Sequence, residues 1–287
     1  MQSTRIWASL AAAAAIFMTQ HVVADTTDSA LSRPQTVLEL RQYTLHPGKR
    51  DVLIDLFDRY FVESQEQLGM RIIGQFRSLD HADRFVWMRS FADMPTRAAA
   101  LNGFYFGPVW QAHREAANAT MVDSDNVLLL KPVRPDTAFA RDDQPRAPVG
   151  ASGPGRGFVV GSIVYLRPAT PGKFEDFFDH DLKPQLQKAG GSVVAELVSD
   201  HSANNFPRLP LREGENVFVW FSVFKDAAAY EQQRRVLAES PEWRELAGKL
   251  SLWSYQPIES LRLQPTARSR LPAPDVGQSS VTSRAEK

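Results

Sequence analysis

The sequence predicts an α+β protein built from two tandem ferredoxin-like βαββαβ repeats, and three observations carry that reading. Segments recur in the same order in the two halves, strand-like and helix-like patterns alternate within each half, and a Pro/Gly-rich stretch separates them. RFVWMRSFAD (residues 84–93) returns as VFVWFSVFKD (217–226), and GPVW (107–110) returns as SPEW (240–243). The offset is constant, since 220 − 87 and 243 − 110 are both 133. Upstream, Pro47-Gly48-Lys49 matches Pro171-Gly172-Lys173 at an offset of 124, so the second half carries a net gain of nine residues (133 − 124), placed within 199–216. Repeat one spans 37–134 and repeat two spans 158–264. A linker at 135–157 and a tail at 265–287 lack apolar periodicity and are expected to be exposed and unstructured.

Each element has a local cause. Residues 37–45 alternate and are rich in strand formers, Pro47-Gly48 turns the chain, and Leu53, Leu56, Phe57, Tyr60 and Phe61 then recur at helical spacing. Strands over 70–79 and 85–91 flank the turn Asp80-His81-Ala82-Asp83. Asp93 and its counterpart Asp226 stand where a helix needs an N-cap. Pro108 and Pro241 occupy first helical turns, where a missing N–H does no harm, and a strand over 127–133 closes the repeat. In FVWMRSF (85–91) both alternating sets are largely apolar, so both sheet faces are expected to be covered. Two such sheets in one chain cover each other by forming a fused dimeric α/β barrel. The mature chain is then a monomer by internal pairing of its repeats, or a homodimer.

Composition removes several function classes. Of 287 residues, 43% are hydrophobic and 23% charged, with Lys+Arg and Asp+Glu equal at 33 each, so no basic surplus calls for nucleic acid. Residues 1–24 read as a signal peptide: Arg5, an apolar run over 6–18, and small residues up to Ala24 for cleavage before Asp25. That run falls short of the roughly 20 apolar residues a membrane span needs, so the mature chain is expected to be periplasmic or secreted, with no membrane span. The absence of cysteine excludes disulfides and thiolate chemistry.

The run GPVWQAHREAANATMVDSDNVLLL (107–130), with ELRQY (39–43), LHPGK (45–49) and RFVW (84–87), closely resembles the NIPSNAP family. The resemblance covers the first repeat. The second is looser, lacking the HREAAN run. The resemblance implies the dimeric α/β-barrel fold and little chemistry.

Candidate site residues come from two places. On the 107–118 helix, Trp110, Arg114 and Asn118 share a stripe, with His113 beside Trp110. A functional reading makes them a ligand wall, with His113 and Arg114 as candidate catalytic groups. A packing reading has them tie the helix to Asp123, Asp125 or the linker. Strand alternation adds Glu39, Arg41 and Tyr43 on one face of the first strand, and Phe85, Trp87, Arg89 and Phe91 on one face of the third. If those faces look into the barrel, the first half brings charge to an apolar cavity. The expected function is binding of a small apolar or aromatic acid in a barrel cavity through Arg41, Tyr43, Trp87, Arg89, Trp110, His113, Arg114 and Asn118. The alternatives are a cofactor-independent oxygenase or isomerase, and a scaffold that recruits partners. No metal and no cofactor are predicted, because no HExxH pair or Cys/His cluster is present. Asp176 and His180 read as a solvated helix face, and haem through His113 is an option by fold analogy alone.

Overall fold

The computed structural model describes residues 33–141, 144–168 and 171–271; the signal peptide expected over 1–24 and most of the tail lie outside them. The first half runs β1 (Val37–Leu45), α1 (Arg50–Leu56), a π-helical turn (Phe57–Phe61), α2 (Val62–Glu66), β2 (Arg71–Ser78), β3 (Arg84–Phe91), α3 (Met94–Tyr105), α4 (Pro108–Asn118), β4 (Met121–Asp123) and β5 (Val127–Pro132). The second half repeats the order: β6 (Phe158–Tyr165), α5 (Pro171–Phe177), a π turn (Phe178–Leu182), α6 (Lys183–Lys188), β7 (Ser192–Ser199), β8 (Val217–Phe224), α7 (Ala227–Glu239), α8 (Pro241–Trp253) and β9 (Glu259–Pro265).

Local chemistry places these elements. Gly48, at a φ of 72°, makes the turn after β1. The Asp93 carboxylate accepts from the Thr96 amide at 2.7 Å to start α3, and Asp226 accepts from Ala229 at 2.9 Å to start α7.

The strands close into an eight-stranded barrel in the order β1-β3-β2-β9-β6-β8-β7-β5 and back to β1, with β4 appended to β1. Within the halves the pairings are long, as in β1 against β3 with Arg41 opposite Trp87 and β6 against β8 with Ser162 opposite Trp220. Two antiparallel seams join the halves, β2 with β9 and β5 with β7. Among the described residues no helix is long and apolar enough to cross a membrane.

The barrel interior is solid. Leu38, Leu40, Val86 and Met88 meet Val159, Ile163, Val219 and Phe221 there, all buried. This corrects the expectation of a charged barrel cavity: Glu39, Arg41, Tyr43, Trp87 and Arg89 alternate with those inward residues and so face outward, beneath the helices. Eight strands enclose a space that aliphatic and aromatic side chains of this kind can fill.

The linker and the start of the tail also depart from expectation. Phe139 is buried in the barrel cluster 5.3 Å from Phe221, and Gly155 bonds to the Pro265 carbonyl. Arg146 reaches Glu66 and the Ile72 carbonyl, while Arg268 reaches Glu63, the Asp58 carbonyl and the Ala147 carbonyl. These segments have few apolar residues, and besides the burial of Phe139 it is charge-assisted bonds from two arginines that fix them.

Candidate functional site

Between the outer face of β1 and β3 and the helices above lies a buried cluster of three arginines around one carboxylate. Glu39 Oε2 accepts from Arg41 Nη1 at 2.6 Å and from Arg89 Nε at 2.7 Å, and Oε1 accepts from Arg97 Nε at 2.8 Å. All four side chains are inaccessible to solvent. Arg41 and Glu39 come from β1, Arg89 sits opposite Glu39 on β3, and Arg97 comes down from α3. Three cations against one anion leave a buried surplus of positive charge, which a protein holds only with further partners.

Those partners are incomplete. Arg41 Nε donates to the Tyr43 hydroxyl at 2.9 Å, Arg89 Nη1 donates to Gln65 Oε1 at 2.9 Å, and Arg97 Nη1 donates to Asn205 Oδ1 at 2.6 Å. The Nη2 atom of each arginine is buried without an acceptor, as is the Trp87 indole Nε1. Burial pushes the Glu39 carboxyl up, but the facing Arg89, Arg41 and Arg97 outweigh it and hold it well below the carboxylate range. Burial also raises Tyr43 against the pull of Arg41, so its phenol keeps the proton. Its oxygen takes the Arg41 bond, and the O–H remains available to donate.

Tyr43, Gln65, Trp87 and Tyr105 are also walls of a narrow cleft beneath the helices, with a cavity volume of about 30 Å³. Phe57 and Phe61 of the π turn line it with Phe104 and Trp110, the rings meeting edge-on or tilted: Phe57–Trp87 centroids are 4.8 Å apart and Phe61–Trp110 5.4 Å. A π turn widens the helix by one residue and often marks a functional site. The result is an aromatic cleft walled in part by Tyr43 and Trp87, whose rings lie under the Arg41 and Arg89 guanidinium groups.

The structure divides the sequence candidates. Arg41, Tyr43, Trp87 and Arg89 converge, and Trp110 joins the cleft wall. His113 stands outside: its ring stacks on Tyr60 at 3.8 Å and 17°, and it is absent from the cleft lining. Arg114 and Asn118 are exposed on the far side of α4, so the expected stripe breaks after Trp110. The helix is amphipathic, and its polar stripe simply faces water. No group of three His, Asp or Glu among the described residues could hold a metal.

Three participants escaped the sequence reading: Arg97, Gln65 and Asn205. Arg97 carried a readable signal, because it precedes Leu101 and Phe104 by four and seven residues and therefore shares their buried stripe. In the second half the register replaces the cluster with uncharged groups. Val160 stands opposite Ser222 where Glu39 stands opposite Arg89, Ser162 stands at the Arg41 position, and Tyr230 follows the Asp226 cap as Arg97 follows Asp93.

These features can be set beside known proteins. Residues 38–135 match the NIPSNAP family model. The matched stretch therefore holds the whole arginine cluster except its Asn204 and Asn205 contacts. Among solved structures, a candidate monooxygenase from Lactobacillus acidophilus NCFM shares the fold at TM-score 0.51 and 14% identity, over 82% of this chain and 97% of its own. A NIPSNAP-like domain protein from Burkholderia xenovorans is 22% identical at TM-score 0.34, over 43% of this chain and 97% of its own. A NIPSNAP family protein from Agrobacterium tumefaciens is 15% identical at TM-score 0.32, over 39% and 88%. No curated protein matches the chain.

Proposed function

We propose that the NIPSNAP half binds a small aromatic or apolar acid in the cleft between its sheet and its helices. One observation carries this: an aromatic cleft is walled by Tyr43 and by Trp87, whose buried indole N–H has no acceptor, beside three buried arginines that share a single carboxylate. The ring of the acid packs among Phe57, Phe61 and Trp110, whose side chains part to admit it, since the cleft between them holds about 30 Å³. Its carboxylate accepts from Trp87 and Tyr43, and the positive charge behind them offsets its desolvation. Binding leads over catalysis, since an oxygenase or isomerase needs a base within hydrogen-bond reach of the substrate, and His113 faces Tyr60. It leads over a scaffold role because Arg41 and Arg89 converge on one buried carboxylate beneath the helices and are not spread over the surface.

Calorimetric titration with benzoate, octanoate and neutral benzamide tests the reading. Binding of the acids without benzamide is expected; equal binding of benzamide, or no binding of either acid, overturns it. The leader-like residues 1–24 support a periplasmic or secreted location, and an N-terminus at Asp25 in protein recovered from the host's periplasm or medium checks it.

A further inference from the structure

The loop between β7 and β8, residues 200–216, belongs to the second half by sequence and to the first half by contact. Its backbone runs alongside β5, with the Asp200 amide donating to the Leu129 carbonyl and Arg212 to Val127, both at 2.9 Å. At its crest Asn205 holds the first turn of α3 twice: Oδ1 accepts from Arg97 and Nδ2 donates to the Met94 carbonyl, both at 2.6 Å. Asn204 Oδ1 lies 3.3 Å from the same Arg97 nitrogen and accepts from the Phe206 amide. Phe206 is buried in the first half's core, stacked on the cleft residue Tyr105 at 5.6 Å and 29°. This loop lies in the stretch where the second half is longer.

We propose that the loop completes the first half's site, Asn205 as the residue that positions Arg97 and Phe206 as the residue that sets the size of acid the cleft admits. The proposal rests on the reading of the cleft as an acid site. Arg97 is anchored by Glu39 on the sheet and by Asn204 and, more closely, Asn205 on the loop, and the loop bonds fix where its charge sits in the cluster. Tyr105 forms part of the cleft wall, and Phe206 is the ring that holds it forward. With a smaller residue at 206, Tyr105 relaxes away and the cleft lengthens. An acid of two fused rings then fits where a single ring fitted before.

The test uses the full chain with benzoate and 2-naphthoate as probes. Asn205→Ala should weaken benzoate about fivefold or more in protein that circular dichroism shows to be folded. Phe206→Ala, or Phe206→Leu if the alanine variant does not fold, should shift the naphthoate-to-benzoate affinity ratio about tenfold toward naphthoate. Arg208→Ala, on the same loop but stacked on the outward Phe106, should change neither quantity. Unchanged affinity and ratio in a parent that binds benzoate overturn the proposal while sparing the acid site. If the parent binds neither probe, the acid site falls, and hydroxyl-radical footprinting decides the loop separately. Labelling of Tyr105 and Trp110 should rise several-fold in the Phe206 variant with Trp220 and Trp253 unchanged; flat labelling overturns the loop's role as a wall.

Discussion

Glu39 and Arg97, 58 positions apart, meet at 2.8 Å with no water-accessible surface on either side chain. This contact ties the α3 helix to the sheet, and it makes one carboxylate the common anion of three guanidinium groups. Removing that anion is therefore a severe change. Glu39→Gln leaves the three arginines without a counter-charge and should cost about 3–5 kcal/mol, the usual penalty for breaking a buried ion pair from one side. Urea denaturation at neutral pH reads it; a loss under about 1 kcal/mol would show that Arg41, Arg89 and Arg97 find other anions.

The same carboxylate predicts a pH dependence. Its folded pKa is depressed below the unfolded one, so the stability it contributes is full above the ordinary carboxylate range and is lost as pH falls toward the depressed value. The parent should lose stability steadily on acidification below about pH 4, and Glu39→Gln should show a shallower slope over that range in thermal melts.

Asp58 runs the opposite way. Burial between the π turn and β2 raises its carboxyl to about 6, although Arg268, Arg146 and Arg77 pull it down. Its contribution is present below the unfolded pKa and disappears as pH rises through about 6. Asp58→Asn keeps an acceptor for the Gln75 amide and removes the proton. The variant should gain on the order of 1–3 kcal/mol relative to the parent between pH 5 and 8, measured as the difference between two melting curves. A constant difference across that interval would place the charge elsewhere.

Trp87→Phe separates site from core. The ring position stays filled, so the fold should survive with a cost near 1–2 kcal/mol, offset in part by removal of a buried unpaired donor. Benzoate affinity should fall about tenfold, the worth of one hydrogen bond to a charged group. Retained affinity would assign the carboxylate to another donor.

The HREAAN helix gives the contrasting case. Arg114→Ala should change stability by no more than about 0.5 kcal/mol, as exposed substitutions do, and His113→Ala should cost about 0.5–1.5 kcal/mol through the lost stacking on Tyr60. Neither should alter benzoate affinity; a loss at Arg114→Ala would return that residue to the site.

The order of elements and the barrel were legible because repeated FVW and Pro-x-x-Trp segments set strands and helices in matching places. Alternation also grouped Glu39 with Arg41 and Tyr43, and Trp87 with Arg89, on shared faces. It could not say which face looked inward. In a closed barrel covered by helices both faces are buried, so the hydrophobic contrast that normally marks the inside vanishes. The sequence signal was that one face carried charge, and charge belongs where a helix layer can bring partners such as Gln65 and Arg97, not in a packed barrel. Asn205 and Phe206 left no local mark, since their role comes from a contact across 108 residues between Asn205 and Arg97. The linker and tail misled because composition reports apolar content, whereas Arg146 and Arg268 fasten those segments by charge.

The two seams that close the barrel are short. The β2–β9 and β5–β7 registers hold three paired positions each, one of them Pro132, which has no N–H to give, whereas β1–β3 and β6–β8 run for eight. Pulled from its ends, or opened slowly by denaturant, the molecule should part along those seams before either half unravels. In amide exchange this would appear as two blocks that open together at the join and singly within. The cleft loop crosses one of the seams, so the first mechanical event in unfolding is also the one that strips Asn205 and Phe206 from Arg97 and Tyr105.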